Sequence, residues 1–127
     1  MRAVPSASRA QSTPDGVACD CTRAHIAGVT LDTHATLRNN VIKRVLDGAG
    51  IAAPSQRHVA FEGKGSPPEL QALIDKVEAN AYKVTDDDLR RLQQTYSDDE
   101  LFEMIVSASL GASERRLRAG LDALDEA

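Results

Sequence analysis

The chain of 127 residues has very few aromatic side chains: no Trp, two Tyr and two Phe. A core without large rings must be built from Leu, Ile, Val and Ala, which favours closely packed helices and offers few large anchors. Such a core is thin for an isolated chain of this length. We therefore expect one domain that associates with further copies of itself.

Long apolar runs and a concentrated basic patch are also missing. No apolar stretch approaches the roughly 20 residues that span a bilayer, so we expect no membrane partner. The net charge is −4 and the basic residues are dispersed, so nucleic acid is not an expected partner.

Residues 1–11 lack the apolar segment of a secretory signal. A bacterial cytoplasm is the simplest compartment, and the two cysteines would then be thiols rather than a structural disulfide.

Composition divides the chain into an arm and a domain. Residues 1–18 are rich in Ser, Ala and Pro, which is typical of a flexible arm. Residues 19–127 are predicted to form a single all-α domain, starting with a short helix near its beginning. A longer helix then carries an apolar stripe at helical spacing and stops at a glycine. The stripe consists of Leu37, Val41 and Val45 with Ile42 beside it, and the stop is Gly48.

The middle of the chain combines a predicted connection and a clear helix. Residues 49–66 hold three Gly and one Pro, which predicts a long connection with one turn of structure around Val59 and Phe61. Ser66, followed by two prolines and Glu69, is a helix start in which the hydroxyl would serve as the cap. The apolar positions that follow at helical spacing are Leu70, Leu73, Ile74, Val77 and Ala81.

Two further helix starts lie twelve residues apart, at Thr85 and Ser97. In each, the hydroxyl can accept a hydrogen bond from a free backbone N–H, and an acid three positions later, Asp88 or Glu100, can reach back. The adjacent aspartates suit the positive end of the helix dipole. The first helix is predicted to bury Leu89 and Leu92. The second runs from Asp98 to Leu124 through Leu101, Phe102, Ile105, Val106, Leu110, Leu117 and Leu121.

The last predicted helix contains a stretch of small residues, Ala108, Gly111, Ala112 and Ser113. A glycine inside a helix costs up to about 1 kcal/mol relative to alanine. We expect the close approach of another helix to offset this cost. A gentle kink is the alternative.

The helix signals occur in an order that resembles a known superfamily. They read V-T-D-D-D-L-R-R-L from Val84, Y-S-D-D-E-L-F-E-M-I-V-S-A-S-L-G-A from Tyr96 and R-L-R-A-G-L-D-A-L from Arg116, after E-L-Q-A-L-I-D-K-V-E-A-N-A-Y-K from Glu69. This order and spacing resemble the carboxymuconolactone decarboxylase and alkylhydroperoxidase D superfamily over residues 66–125, about half of the chain.

The resemblance implies an all-α fold similar to the alkylhydroperoxidase D core, assembled commonly as trimers or hexamers. In the peroxidase branch it implies a Cys-x-x-Cys pair followed after three residues by a His. One thiolate attacks a peroxide, the other thiol resolves the sulfenic acid, and a thiol reductant is the partner. The decarboxylase branch uses a His and acids on a lactone. Neither branch implies a bound organic cofactor.

The candidate site is the segment from Cys19 through Cys21 to His25. Cys21 and His25 are four residues apart, so on a helix they share a face where the imidazole could take the thiol proton. They match the second Cys and the His of the family. Cys19, however, precedes Cys21 by two residues, about 200° around a helix, so the two sulfurs would point apart. The family's relay Glu has no match, since the nearest upstream acid is Asp15.

Several interpretations of this cluster remain open. Cys21 is the candidate reactive thiol of a peroxidase-like protein, with Cys19 as the resolving partner and His25 as the base. Alternatively, Cys19, Cys21 and His25 bind a metal with Asp32 or His34, although the spacing matches no common zinc site. A third interpretation is a degenerate remnant on a non-catalytic helical assembly or binding module. Decarboxylase or isomerase-like chemistry at His25 or His34 on a small organic acid is a further alternative.

Other polar residues have structural interpretations. His34 is interpreted as a packed or surface histidine, and His58 and Glu62 as solvated loop residues. The acids at the helix starts are explained by capping. Tyr82 and Tyr96 flank helix junctions and are predicted to pack against the core. The arginines near the end of the chain are interpreted as a solvated face with salt bridges between subunits, namely Arg115, Arg116 and Arg118.

Overall fold

A computed structural model describes residues 34–127 of the chain. The proposed arm at 1–18 and the short helix near 19–27 lie outside these residues. Residues Thr36–Ala127 form one compact unit. The 94 residues from 34 to 127 form helices that are joined by short connections.

Five α-helices and one 3-10 turn make up the described residues, which contain no strand. This confirms the all-α prediction. The elements are α1 (Ala35–Asp47), α2 (Pro54–Glu62), α3 (Pro68–Asn80), the 3-10 turn (Ala81–Lys83), α4 (Asp86–Leu92) and α5 (Asp98–Asp125).

Both predicted capping boxes are present. The Thr85 hydroxyl accepts from the Asp88 N–H at 3.4 Å, and the Asp88 carboxylate accepts from the Thr85 N–H at 3.0 Å. At the start of α5, Ser97 and Glu100 make the same exchange at 3.2 and 2.8 Å. These bonds satisfy N–H groups that a helix start leaves free. The sequence therefore predicts where α4 and α5 begin.

The carboxylate of Asp88 also joins α3 to α4. Lys76 Nζ on α3 donates to both carboxylate oxygens at 2.7 Å. This charged hydrogen bond, followed by the bonds from Thr85, lowers the pKa of Asp88 from 3.8 to about 2. Because the carboxylate is favoured over the acid, the cap and the bridge between helices hold at neutral pH.

Helix α3 forms as predicted, but its start differs in one detail. Leu70, Leu73, Ile74 and Val77 are all buried, which confirms its apolar face. The residue at the cap is Pro67 rather than Ser66, and no side chain caps the helix. Gln71 organises this turn instead, because its side chain accepts from the Ser66 N–H at 3.3 Å and donates to the Gly63 carbonyl at 2.8 Å.

The prediction of a long connection over residues 49–66 is wrong, because α2 occupies nine of these residues. Pro54 suits the first turn, and Gln56 replaces a hydroxyl cap by accepting from the Ala53 N–H at 3.1 Å. Gly63 ends the helix in the left-handed conformation, with φ of 74°. The apolar pattern of the sequence does not predict α2, because the buried residues of this helix are Arg57 and Ala60 rather than large apolar residues.

Helices α2 and α5 lie in close contact, which confirms the predicted use of the small residues. Ala108 and Ala112 are buried, and a Cβ at Gly111 would overlap the carbonyl oxygen of Phe61 at the end of α2. The glycine is therefore required by the backbone of another helix rather than by a kink. Its unfavourable helix propensity is offset by this packing.

Several apolar residues lie outside the core that α2, α3, α4 and α5 share. Leu37 and Val41 of α1 are 64% and 52% exposed, whereas Ile42 and Val45 are half-buried, so only part of the predicted stripe is shielded from solvent. Tyr82 is 82% exposed and does not pack as predicted, whereas Tyr96 packs against the core. Leu117 and Leu121 near the end of α5 are about two-fifths exposed. These side chains form surfaces rather than the interior.

We expect Gly111→Ala to lower the free energy of unfolding by about 2 kcal/mol, because the added methyl group forces α2 and α5 apart. The better helix propensity of alanine, worth about 1 kcal/mol, does not compensate. Urea unfolding measures the difference. The control Ser113→Ala, on the exposed side of the same helix, should change stability by less than about 0.5 kcal/mol. A Gly111→Ala protein as stable as the wild type would contradict the close contact.

Candidate functional site

The residues predicted to carry chemistry, Cys19, Cys21 and His25, lie outside the described residues, as do Asp15 and Asp32. His34 is described: it occupies an exposed turn just before α1. Within residues 34–127, no three His, Cys, Asp or Glu side chains converge as a metal site requires. The described chain offers four other polar or apolar features.

The first feature is a buried arginine at the end of α1. Arg57 is 4% exposed, and its guanidinium donates to the carbonyls of Val45 at 2.8 Å and Gly48 at 2.7 Å. Val45 lies in the last turn of α1 and Gly48 follows the helix directly, where the carbonyls lack donors within the helix. Arg57 therefore caps α1 from α2, and a positive charge suits this end of the helix dipole.

Glu103 on α5 completes this feature at the start of α2. Its two carboxylate oxygens accept from the N–H groups of Ile51 at 2.8 Å and Ala52 at 2.9 Å. Arg57 Nε lies 4.0 Å from the same carboxylate. The pKa of Glu103 is lowered, chiefly by the hydrogen bond from the Ile51 N–H. Partial burial of the carboxylate opposes this effect by raising the pKa, whereas the hydrogen bond from Ala52 and the charge of Arg57 lower it further.

The groups around Glu103 connect the chain between α1 and α2. Both carboxylate oxygens already accept backbone hydrogen bonds, and the terminal nitrogens of Arg57 are engaged by carbonyls. A Cβ at Gly50 would lie 2.6 Å from a Glu103 oxygen, so the turn is closed over the carboxylate. The pair fixes the path of the chain from α1 into α2.

The second feature is a charged groove of about 690 Å³ beside the end of α2. Glu114 is 8% exposed in its wall. Its carboxylate lies 3.2 Å from Arg38 Nε of α1 and 3.0 Å from Arg118 Nε. The groove also contains Asn39, Ile42, Phe61, Glu62, Gly63, Lys64, Glu78, Gly111 and Arg115.

The arginines of α5 are engaged within the chain, which the interpretation as a solvated face did not foresee. Arg115 donates to the Phe61 carbonyl at 2.8 Å and forms an ion pair with Glu78. Arg116 donates to the Glu78 carbonyl. Because acids and bases pair with one another and with helix ends, the groove presents no concentrated charge of one sign to a ligand.

The third feature is an open depression on α1, called the α1 groove below. It has a volume of about 670 Å³ and a mostly apolar lining. Leu37 and Val41 supply the apolar surface, and Lys43 and Arg44 supply basic groups. Asn40, Asp47 and Gly48 complete the lining.

The end of α5 presents a second exposed apolar face. Every residue from 115 to 127 is exposed, and residues 115–125 are called the α5 tail below. Leu117, Leu121 and Leu124 follow one another at i, i+4 and i+7, so they lie on one face of the helix. The exposed fractions of these three side chains are 42%, 43% and 74%.

No family model, curated protein or solved structure matches the chain. The superfamily resemblance therefore stays a prediction. Among the helices between residues 34 and 127, none combines the length and apolar content that a membrane crossing requires.

Sequence analysis missed Arg57, Glu103 and Glu114 as organising residues. Arg57 lies in the segment that was predicted to be a connection, so no pattern marked it as buried. Glu103 carried no signal of this kind either, because it is two positions from both Leu101 and Ile105, and two residues correspond to about 200° around a helix. Their partners are backbone atoms distant in sequence, which only the folded arrangement reveals.

We expect Glu103→Gln to destabilise the protein at neutral pH, because the amide is a weaker acceptor for two backbone N–H groups and leaves Arg57 without its neighbouring charge. The pKa of Glu103 is lower in the folded state, so its ionised form contributes stability above its ordinary pKa of 4.5. That contribution is lost as pH falls below 4.5 through the folded pKa.

The stability difference between wild type and Glu103→Gln should therefore narrow on acidification below pH 4.5. Urea unfolding at a series of pH values measures it. The matched control is Glu62→Gln, which changes an exposed acid at the end of α2 and should have an effect below about 0.5 kcal/mol. A difference that is absent at neutral pH, or that does not change with acidification, would contradict the role of Glu103.

Proposed function

We propose that the described part of the chain is a helical assembly module that binds further copies of itself. The supporting observation is the pair of exposed apolar faces on α1 and the α5 tail. Single exposed apolar residues are ordinary on protein surfaces, but aligned ones mark interaction sites. Leu37 and Val41 share one helical face, and Leu117, Leu121 and Leu124 share another.

The polar residues support the same proposal, because their hydrogen bonds and ion pairs are made within the chain. Arg57 and Glu103 hold the chain between α1 and α2, and Glu114 and Arg115 join α5 to its neighbours. These groups stabilise the fold, so the described residues gain binding capacity chiefly through their apolar faces. A core with no buried aromatic side chain would also gain stability from surface buried on association.

The test is the mass of the full chain in solution, measured by analytical ultracentrifugation over a wide range of concentrations. We expect a reversible oligomer, with a trimer or a hexamer as the states that the superfamily resemblance implies. A chain that remains monomeric at the highest concentration reached would overturn the proposal.

A second candidate function is thiol-dependent peroxide reduction, which the spacing of Cys21 and His25 upstream of the resembling helices favours. The Cys21 thiolate would attack the outer oxygen of a small hydroperoxide and break the O–O bond, and a proton from the His25 imidazolium would convert the leaving group to an alcohol or water. The Cys19 thiol would then condense with the sulfenic acid, forming a disulfide and releasing water. A thiol reductant would restore both thiols.

We expect the reduced protein to consume hydrogen peroxide at a rate that Cys21→Ser abolishes, because serine has no comparable nucleophile. Cys19→Ser should keep the first turnover and accumulate sulfenic acid, detectable by mass spectrometry as one added oxygen. If Cys21→Ser consumes peroxide as fast as the wild type, this candidate is lost, while the assembly module is unaffected.

A further inference from the structure

We propose that the α5 tail of one copy of the chain docks into the α1 groove of a second copy. This inference rests on the proposed self-association and names the two surfaces that meet. Both surfaces belong to the described residues, and each lacks a partner among them. A helix that lays its apolar face into an apolar groove is a common mode of recognition.

The groove provides an apolar floor with a basic edge. Leu37 and Val41 are more than half exposed. Asp47, the acid in the lining, accepts a hydrogen bond from His58 Nε2 at 2.8 Å, so it is engaged on its own chain. The side chains of Lys43 and Arg44 make no hydrogen bond or ion pair within residues 34–127. The groove therefore presents uncommitted positive charge.

The tail provides the complementary surface. Its three leucines form a stripe at the i, i+4 and i+7 spacing of groove-binding helices. After Arg118 the charged residues are all acids, Asp122 and Asp125 in the tail and Glu126 directly after it, and their side chains make no ion pair within the described part of the chain. Arg115 and Arg118 of the tail already form ion pairs with Glu78 and Glu114. The charge at the end of the tail is therefore acidic, and it complements the basic residues of the groove, which is the complementarity that orients association.

Gly120 leaves open space beside the leucine stripe, in which a partner helix can lie. It lies three residues after Leu117 and four before Leu124, on the same helical face. Gly111 on the same helix is explained by the backbone of α2, whereas a Cβ at Gly120 would meet nothing within 4 Å. A partner helix that passes closely at Gly120 would offset its cost in the way that α2 does at Gly111.

Mixing two defective variants tests the proposal directly. Val41→Asp places a charge in the groove and leaves the tail intact, while Leu121→Asp places a charge in the tail and leaves the groove intact. Each variant alone should lose association by at least about tenfold. An equimolar mixture should regain a complex, because one intact tail can still enter one intact groove.

Two controls keep this test specific. Phe102→Ser changes another exposed apolar residue, 68% exposed on α5 and outside both surfaces, and should leave association unchanged. Gly120→Ala should favour the isolated helix yet weaken association. Far-UV circular dichroism and urea unfolding verify that each variant folds, since all four positions are solvent-exposed.

The outcomes separate this inference from the proposed function. Recovery of a complex on mixing, with Phe102→Ser unchanged, supports tail-in-groove docking. A wild type that is oligomeric while the mixture stays dissociated overturns the docking, yet leaves the assembly module standing. A Val41→Asp variant that associates as well as the wild type overturns the docking in favour of tail-to-tail pairing. A wild type that is monomeric at every concentration overturns both.

Discussion

The contact between α2 and α5 is the constraint on which the described fold depends. The two helices run in the same direction, because Glu103 meets the residues before α2 and Gly111 meets its last turn. Arg115 lies one turn further along α5 and donates a hydrogen bond to the Phe61 carbonyl, the same group that packs against Gly111. One long helix therefore holds both ends of a short one. Without that support, the nine residues of α2 would form a marginal helix at best.

The scarcity of aromatic residues explains why such polar and backbone contacts matter. The largest fully buried side chains in residues 34–127 are Ile74, Met104 and Ser107, and small interior groups allow helix backbones to approach closely. Close approach in turn brings backbone N–H and C=O groups within reach of side chains on a neighbouring helix. Arg57 and Glu103 use this proximity to satisfy helix ends that would otherwise lack partners. Their charges hold secondary structure in place rather than a substrate.

Sequence patterns predict the part of this fold that depends on local interactions. The capping boxes at Thr85 and Ser97 join residues three positions apart, so the sequence alone predicts them. The buried apolar face of α3 follows from helical periodicity. The start of α2 depends instead on Glu103, which is more than fifty residues away in sequence, and its buried arginine looks like a surface residue. The stripe of α1 is also ambiguous, since periodicity identifies an apolar face but not whether that face meets the core of the same chain or another molecule. The predicted thiol site lies outside the described residues, and its chemistry rests on the sequence.

Native-state hydrogen exchange followed by NMR tests most directly whether α5 holds α2. We predict that the amides of Ile51 and Ala52, and those of the last turns of α2, open with the same free energy as the buried centre of α5 around Met104 and Ala108. Common values would show that the two helices unfold as one cooperative unit. Exchange of the α2 amides through an opening of much lower free energy, with the centre of α5 still protected, would contradict the account.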